Sequence, residues 1–550
     1  MRRREVHPSV RTSLLRAGAG HDAPISHFFD RKGMMIQSVF QNRNKARLLL
    51  FAAILTGICI VLAHLVFYTG FDYRDSASVY GFMARSLAEG EYADAFHPGI
   101  PLLNVLCTRV FTVFGVLPDF ALSAVSCLFY LATIPFLYLF LKCFVPEGLA
   151  AFGALLFACA PKIIRFSCTG LIDSGKIFFF VAALYFSYRM VRSKFRSYGF
   201  AVGFGATLGG LSLARSEGIG NAGVIFGCTV LFWLADVLRE KRLMPVLPML
   251  TALAVWALPL GGRIWINWHF CGRPVYDERL HDKLLSLLGA HPAVAEEAAE
   301  QVAVAAEPAE SNLEFWVELL RKNIVGNYEV YFGLEVLCIV LLVLAARGGK
   351  WRILWPDGKV PDFFRWQPFF IVPVLSVVFN ILIFRITGLH AYRYFLMNIP
   401  LFMIFNVMAC WWIWSWAVRL LPRPLFFAGV AGIVALLFFQ VKNGVDNIIS
   451  ADASRNRGFG REAGAVMREE KADGTVLFRM ACIEWYYSGM KRAVPVEKPV
   501  DYSTFGDFDF VLVRKDEEDM LPIMERRDDV REIPLPPESS LRLFRKLYKE

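Results

Sequence analysis

Two carboxylates, Asp72 and Asp75, follow directly after the first long apolar run of the chain. Tyr80 and His97 lie in the same segment, 70–118. Charged side chains inside a membrane are costly, so those that gather where membrane spans end are candidates for a functional site. A carboxylate in such a site can accept the proton of a reacting hydroxyl group. The alternative interpretation is that both Asp side chains face solvent in a loop.

Three further groups of polar residues lie at the ends of later apolar runs: Asp173; Arg215 with Glu217; and His390, Arg393 and Tyr394. Each group has a structural alternative. Asp173 could cap the N-terminus of a helix, and Arg215 and Glu217 could form a salt bridge. Arg393 could extend to the lipid headgroups. An arginine also offers a planar fork of donors that suits phosphate oxygens, which makes Arg393 a candidate phosphate ligand.

The composition indicates which elements must hold these residues. The chain has 550 residues, of which 56% are hydrophobic and 20% are charged. Apolar runs of about 20 residues recur, which indicates a multi-span helical membrane protein and excludes a soluble enzyme, a disordered chain and an outer-membrane barrel. The predicted spans are 48–69, 119–141, 148–164, 174–191, 199–214, 219–237, 246–265, 329–346, 368–385, 394–417 and 424–441.

The apolar stretch 99–117 is ambiguous, since it could span the membrane or lie along its surface. If it stays on the outer side, the basic loops fall inside, among them 189–196, 239–242 and 347–365. The positive-inside rule therefore favours a juxtamembrane helix at 99–117. The net charge of +10 is then explained by topology, and nucleic acid is not expected as a partner.

The chain is expected to divide into three parts. Residues 1–47 form a basic cytoplasmic segment, 48–441 form the transmembrane domain with outer loops 70–118 and 266–328, and 442–550 form a small extracytoplasmic domain. The fold class is thus an all-α polytopic membrane protein with about eleven transmembrane helices, juxtamembrane helices and a small C-terminal α/β domain.

The four polar groups resemble motifs of the GT-C superfamily of membrane glycosyltransferases, in the bacterial branch related to protein O-mannosyltransferases and the lipid A aminoarabinose transferase. The first motif is an acid followed by Y-x-x-x-A-x-x-L-x-x-G and H-P, matched by Asp75, Tyr80, Ala84, Leu87, Gly90 and His97-Pro98. The later motifs are matched by Asp173-Ser174 with Phe178-Phe179, by Gly210-Leu211 with Arg215 and Glu217-Gly218, and by Arg393-Tyr394. In the first motif, Gly99 stands where the family has a second Pro.

The resemblance implies a sugar donor carried on a polyprenyl phosphate and a glycan, lipid or protein acceptor, in the bacterial inner membrane. Asp75 is then the expected base, with Asp72 as its substitute, and the anomeric centre is inverted.

Asp173 is expected to orient the acceptor or to hold a divalent ion, Mg²⁺ or Mn²⁺; no other cofactor is expected. The donor phosphate is assigned to Arg393, Tyr394, His390 and Arg215, and acceptor contacts to Tyr80, His97 and Glu217. The rival function classes are a transporter or flippase for lipid-linked sugars and a non-catalytic lipid-binding scaffold.

Overall fold

The computed structural model describes the membrane part of the chain over 43–67, 70, 76–97, 101–168, 170–241, 245–277 and 281. Further along the chain it describes 340, 372, 375, 378–379, 396, 399–420 and 422–449. In the C-terminal part it describes 462–470, 475–478, 492–495, 508–515, 521–535, 537, 539 and 541–547. Together these ranges are called the described residues. The predicted spans at 329–346 and 368–385 lie almost entirely outside them.

Helices of four to 27 residues make up most of the described membrane part. They are α1 (Arg43–Val66), α2 (Phe82–Glu89), α3 (Tyr92–Ala95), α4 (Leu103–Thr112), α5 (Pro118–Leu141), α6 (Glu147–Ala158), α7 (Pro161–Cys168), α8 (Asp173–Arg192), α9 (Tyr198–Ala214), α10 (Gly218–Glu240), α11 (Leu247–Cys271), α12 (Ile399–Leu420) and α13 (Arg423–Ile449). A π-helical turn, Ser76–Gly81, precedes α2.

Among the described residues, five helices are long and apolar enough to cross a membrane, and a bent pair would make a sixth. The five lie in α1, α5, α10, α11 and α13. This agrees with a multi-span helical membrane protein, while the predicted number of about eleven spans stays a prediction.

The bent pair is α6 with α7, where a single span over 148–164 was expected. The two helices meet at an angle of 59°. Pro161 opens α7, and proline both lacks an N–H donor and disfavours helical backbone in the preceding residue. The Tyr130 hydroxyl donates to the Ala158 carbonyl over 2.6 Å, which provides a partner for a backbone group next to the break.

Helix α4 occupies the ambiguous apolar stretch 99–117. It has ten residues and is therefore about 15 Å long, roughly half the thickness of the hydrocarbon core. Gly115, in left-handed backbone, follows it before α5 begins. The length fits a helix that does not span the membrane, and the side on which it lies stays a prediction.

Helices α8 and α9 form the centre of the bundle. Helix α8 packs against α5 and α9, and α9 packs closely against α11. Small residues permit this approach, because a Cβ at Gly205 would overlap the Ala252 carbonyl oxygen and a Cβ at Gly209 would overlap the Pro259 ring.

The C-terminal part holds a five-stranded sheet with the order β2-β1-β3-β5-β4. The strands are β1 (Thr475–Phe478), β2 (Arg492–Pro495), β3 (Phe510–Arg514), β4 (Val530–Ile533) and β5 (Leu541–Lys546). Strand β1 pairs in parallel with β2 and β3, and β5 pairs antiparallel with β3 and β4. The sequence of this part also predicts strands at 475–478 and 508–513, which correspond to β1 and β3.

Candidate functional site

Helix α8 begins at Asp173, and the connection before it is held by polar side chains of neighbouring helices. The Ser126 hydroxyl donates to the Leu171 carbonyl oxygen over 2.7 Å, and the Asn104 amide donates to the same oxygen over 3.3 Å. Both donors are buried. This arrangement fixes the position of the first turn of α8 without using the Asp173 side chain.

Four charged side chains form a buried network between α8 and the turn that joins α9 to α10. Asp173 Oδ1 lies 2.6 Å from Arg215 Nη1, and Glu217 Oε1 lies 2.8 Å from Arg215 Nε. Lys176 Nζ donates to the same Glu217 oxygen over 2.9 Å. We call these four residues the ionic cluster; two acids and two bases make it neutral. Mutual pairing of this kind is what allows charged groups to be buried.

Each of these two motifs had a structural alternative, and the structure gives a different outcome for each. Asp173 is not the N-cap residue, because Ile172 occupies that position and Asp173 is the first residue of α8. The Arg215–Glu217 salt bridge does form, and it continues to Asp173 and Lys176.

Glu217 lies outside the helices, directly before α10. Burial alone would raise the pKa of its carboxyl, but the adjacent Arg215 and Lys176 outweigh burial and lower the pKa to about 2. Glu217 is therefore ionised at neutral pH.

Glycine brings the two motifs into contact. Phe179 of α8 lies against Gly210 of α9, where a Cβ would overlap the aromatic ring. At Gly218 a Cβ would overlap the Leu211 carbonyl oxygen. The F-F and G-L-x-x-x-R-x-E-G patterns thus pack on each other and set the distance between Asp173 and Arg215.

Replacing Gly218 by Ala is expected to destabilise the protein by about 1–3 kcal/mol, since backbone must shift to admit the methyl group. Gly223, in the same helix, has open space around a Cβ. Gly223→Ala is therefore the matched control, expected to be neutral or stabilising by roughly 0.5–1 kcal/mol. Thermal unfolding in one detergent measures both, and equal melting temperatures would contradict the proposed close contact.

The segment after α11 folds back onto the same turn. Asp277 accepts a hydrogen bond from the Ser216 hydroxyl, and the Tyr276 hydroxyl donates to the Ser212 carbonyl oxygen. Arg263 Nε donates to the Tyr276 carbonyl oxygen over 3.0 Å. The turn that carries Arg215 is therefore held both by the ionic cluster and by the segment after α11.

One carboxylate oxygen of the ionic cluster, Asp173 Oδ2, is not the one that contacts Arg215. Asp173 Oδ2 is buried and has no hydrogen-bond partner among the described residues, and the same is true of the adjacent Ser174 hydroxyl. A buried polar atom without a partner is costly. These two atoms are therefore candidate contacts for a polar group from outside the described residues.

Of the other predicted site residues, the structure describes Tyr80 and His97. Tyr80 is buried in the π-helical turn, and His97 is exposed after α3, where its carbonyl oxygen accepts from Arg263 Nη2 over 3.5 Å. Asp72, Asp75, His390, Arg393 and Tyr394 lie outside the described residues.

Lys176 is a member of the ionic cluster that the sequence motifs did not predict. Its side chain is only 2% exposed. A lysine one turn inside an apolar run is itself a signal of function or of a hidden partner. Asp277 was not predicted either, because nothing in the local sequence links it to the turn at Ser216.

Residues 96–260 match the family described as dolichyl-phosphate-mannose-protein mannosyltransferase. The matched range includes the whole ionic cluster. No curated protein matches the chain by sequence.

Solved structures resemble the chain over most of its length. ArnT from Cupriavidus metallidurans bound to undecaprenyl phosphate is 13% identical, with a TM-score of 0.56, and the match covers 89% of this chain and 97% of that one. The apo state of the same protein gives 0.55 at 13% identity, with the same coverage.

An oligosaccharyltransferase from Archaeoglobus fulgidus, tethered to an acceptor peptide, is 12% identical with a TM-score of 0.50. The match covers 87% of this chain and 70% of that one. The family match and the shared fold confirm the resemblance of this chain to the GT-C superfamily of membrane glycosyltransferases.

Proposed function

We propose that this protein is a glycosyltransferase that moves a sugar from a polyprenyl-phosphate donor to an acceptor hydroxyl. The observation that carries the proposal is the buried ionic cluster, formed where two separate motifs meet. It lies on a fold shared with ArnT, whose structure contains undecaprenyl phosphate. The acceptor belongs to a glycan, a lipid or a protein.

The reaction requires a base for the acceptor and positive charge for the leaving group. The acceptor oxygen forms a bond to the anomeric carbon as the bond from that carbon to the phosphate oxygen breaks. The hydroxyl proton passes to Asp75, with Asp72 as the alternative base, and the bonding electrons leave with the phosphate. Attack from the face opposite the phosphate inverts the anomeric centre.

The ionic cluster serves the acceptor side in this scheme. Arg215 holds Asp173 Oδ1, so that Oδ2 and the Ser174 hydroxyl orient the acceptor. Glu217 holds Arg215 and is itself held by Lys176, so that the four charges of the cluster cancel. Tyr80 and His97 are proposed to complete the acceptor contacts.

The phosphate side is assigned to Arg393 with Tyr394 and His390. Arg215, which the sequence also assigned to the donor phosphate, already has its charge balanced by Asp173 and Glu217. A guanidinium can bind two phosphate oxygens at once. Mg²⁺ or Mn²⁺ is a second way to neutralise phosphate charge. Among the described residues there is no group of three His, Cys, Asp or Glu side chains that could hold such an ion. Asp72 and Asp75, which lie outside them, are the proposed further ligands.

Arg393→Ala is expected to weaken binding of the donor lipid by about tenfold or more, because a charge-assisted pair of hydrogen bonds to phosphate is lost. The measurement is the apparent donor affinity in the transfer assay. Arg419→Ala, at the opposite end of the same predicted span, is the control. An unchanged donor affinity in Arg393→Ala would remove this residue from the phosphate site.

The proposed location is the bacterial inner membrane, with the N-terminus in the cytoplasm and the active site and C-terminal domain outside it. A reporter fused near residue 195, in the connection between α8 and α9, is expected on the cytoplasmic side. A reporter that is accessible from outside the cell would contradict this orientation.

The decisive experiment uses the purified protein in lipid vesicles with polyprenyl-phosphate sugars and candidate acceptors. An enzyme releases free polyprenyl phosphate, whereas a flippase moves the intact donor between leaflets and a scaffold does neither. Mass spectrometry of envelope glycans and glycolipids from a deletion strain identifies the sugar and the acceptor. Transbilayer movement of the donor without release of polyprenyl phosphate would overturn the proposal.

A further inference from the structure

A second polar site lies at the other end of α8. Asp173 begins this helix and Arg189 and Arg192 lie in its last turn. At about 1.5 Å per residue, these arginines are roughly 24–29 Å from Asp173 along the helix axis. This distance is close to the thickness of the hydrocarbon core, so the two sites lie near opposite faces of the membrane.

The arginines line a cavity of about 490 Å³ between the ends of α5 and α8 and the start of α9. Its lining residues are Leu139, Lys142, Cys143, Tyr185, Tyr188, Arg189, Arg192, Ser193 and Phe200. Three of these are cationic and none is acidic. The volume lies within the roughly 300–1,000 Å³ range of small-molecule sites, so the cavity can admit a phosphate together with the group esterified to it.

Hydrogen bonds and ring contacts hold the cations in place. Arg189 Nη1 donates to the Tyr185 hydroxyl over 3.2 Å, and its guanidinium lies 4.5 Å from the centre of the Phe200 ring. Arg192 Nη1 donates to the Tyr188 hydroxyl over 2.9 Å. Because the Tyr185 oxygen accepts from Arg189, its own proton can be donated to a ligand.

Lys142 stands at the edge of the cavity and forms a salt bridge of 2.6 Å with Glu147. Glu147 does not line the cavity. The three cations that line the cavity thus outnumber the one acid, Glu147, that the described residues place in a salt bridge with them, and this favours an anionic ligand.

The helix dipole and the positive-inside rule both explain why basic residues stand at this end of α8. Neither explains why they converge on one cavity together with tyrosine hydroxyls.

On the adjacent helix, the exposed apolar side chains Tyr198 and Val202 lie one turn apart on one face of α9. In a membrane this face contacts lipid chains.

We propose that this cavity binds an anionic phosphate ester at the membrane face opposite the ionic cluster. The ligand is either the headgroup of an anionic phospholipid or a soluble phosphate ester, since both present the same phosphate oxygens to Arg189 and Arg192. The proposal does not depend on the glycosyltransferase activity.

The test uses the full-length protein purified in detergent. Dioleoyl phosphatidylglycerol, dioleoyl phosphatidylcholine and glycerol 1-phosphate are titrated separately, and binding is measured by native mass spectrometry for the lipids and by calorimetry for the soluble ester. Arg189→Gln is expected to weaken binding of the anionic ligand by about 10- to 100-fold. Arg196→Gln is the matched control, because it removes the same charge from the exposed connection outside the cavity.

A thermal unfolding curve for each variant without ligand shows that it is folded, and Arg189→Lys, which keeps the charge, is expected to bind with an intermediate affinity. Phosphatidylglycerol binding that depends on Arg189 identifies a lipid headgroup site. Glycerol 1-phosphate binding that depends on Arg189, without lipid binding, identifies a site for a soluble ester. Equal effects of Arg189→Gln and Arg196→Gln, or no preference over phosphatidylcholine and no binding of the soluble ester, would overturn the proposal.

Discussion

Replacing Asp75 by Asn is expected to lower the rate of sugar transfer by on the order of a hundredfold or more. General base catalysis typically contributes about 10²–10⁴ to the rate, and the amide cannot accept the hydroxyl proton. The side chain keeps its size, so membrane insertion and folding should be unchanged. The measurement is the initial rate of polyprenyl phosphate release at saturating donor and acceptor.

Asp94→Asn is the control for this variant, since Asp94 lies in the same segment, 70–118, but outside the motif. The pH dependence of the transfer rate adds a second readout. A base acts only when it is ionised, so the loss of the base removes the fall in rate at acidic pH. Full activity in Asp75→Asn would transfer the role to Asp72 or end the base assignment.

Replacing Arg215 by Met is expected to destabilise the protein by about 3–5 kcal/mol. The change leaves Asp173 and Glu217 buried without the cation that contacts both. The side chains of all three residues are at most 11% exposed, so water cannot replace the lost partner. Thermal and denaturant unfolding in detergent measure the effect, and transfer activity should fall with it.

Lys194→Met provides the comparison for the buried pair. Lys194 also forms a close salt bridge, 2.6 Å from Glu240, but the two side chains are 52% and 33% exposed. Exposed pairs contribute about 1 kcal/mol or less. If both variants lost the same stability, the ionic cluster would not be a buried structural element.

Within the described residues the sequence predicts the apolar helices well, because their length and composition are local properties. The ends are less predictable. The expected span at 148–164 is broken before Pro161, where the loss of one N–H donor permits a bend of 59°. In the stretch 99–117, the described residues 101–117 contain one helix, the ten residues of α4.

The candidate site is predicted only in its parts. The sequence identified Asp173, Arg215 and Glu217, but their contacts join residues 42 positions apart and depend on how α8 packs against α9. No local pattern shows that Lys176 contacts Glu217 or that Asp277 accepts from Ser216. These contacts follow from helix packing, and Gly210 and Gly218 determine how closely the helices pack. The periodicity of apolar residues does not reveal this packing.

The neutrality of the ionic cluster has a consequence for biogenesis. Translocon-insertion scales assign a cost of about 2.5–3.5 kcal/mol to a charged residue at the centre of a membrane helix. Asp173 and Lys176 lie in the first turn of α8, so α8 entering alone would carry only part of this cost for each of them. Their partners arrive only with the α9–α10 turn. We therefore expect α8 and α9 to enter the bilayer as a single helical hairpin, with translation of the turn preceding stable integration of the first arm.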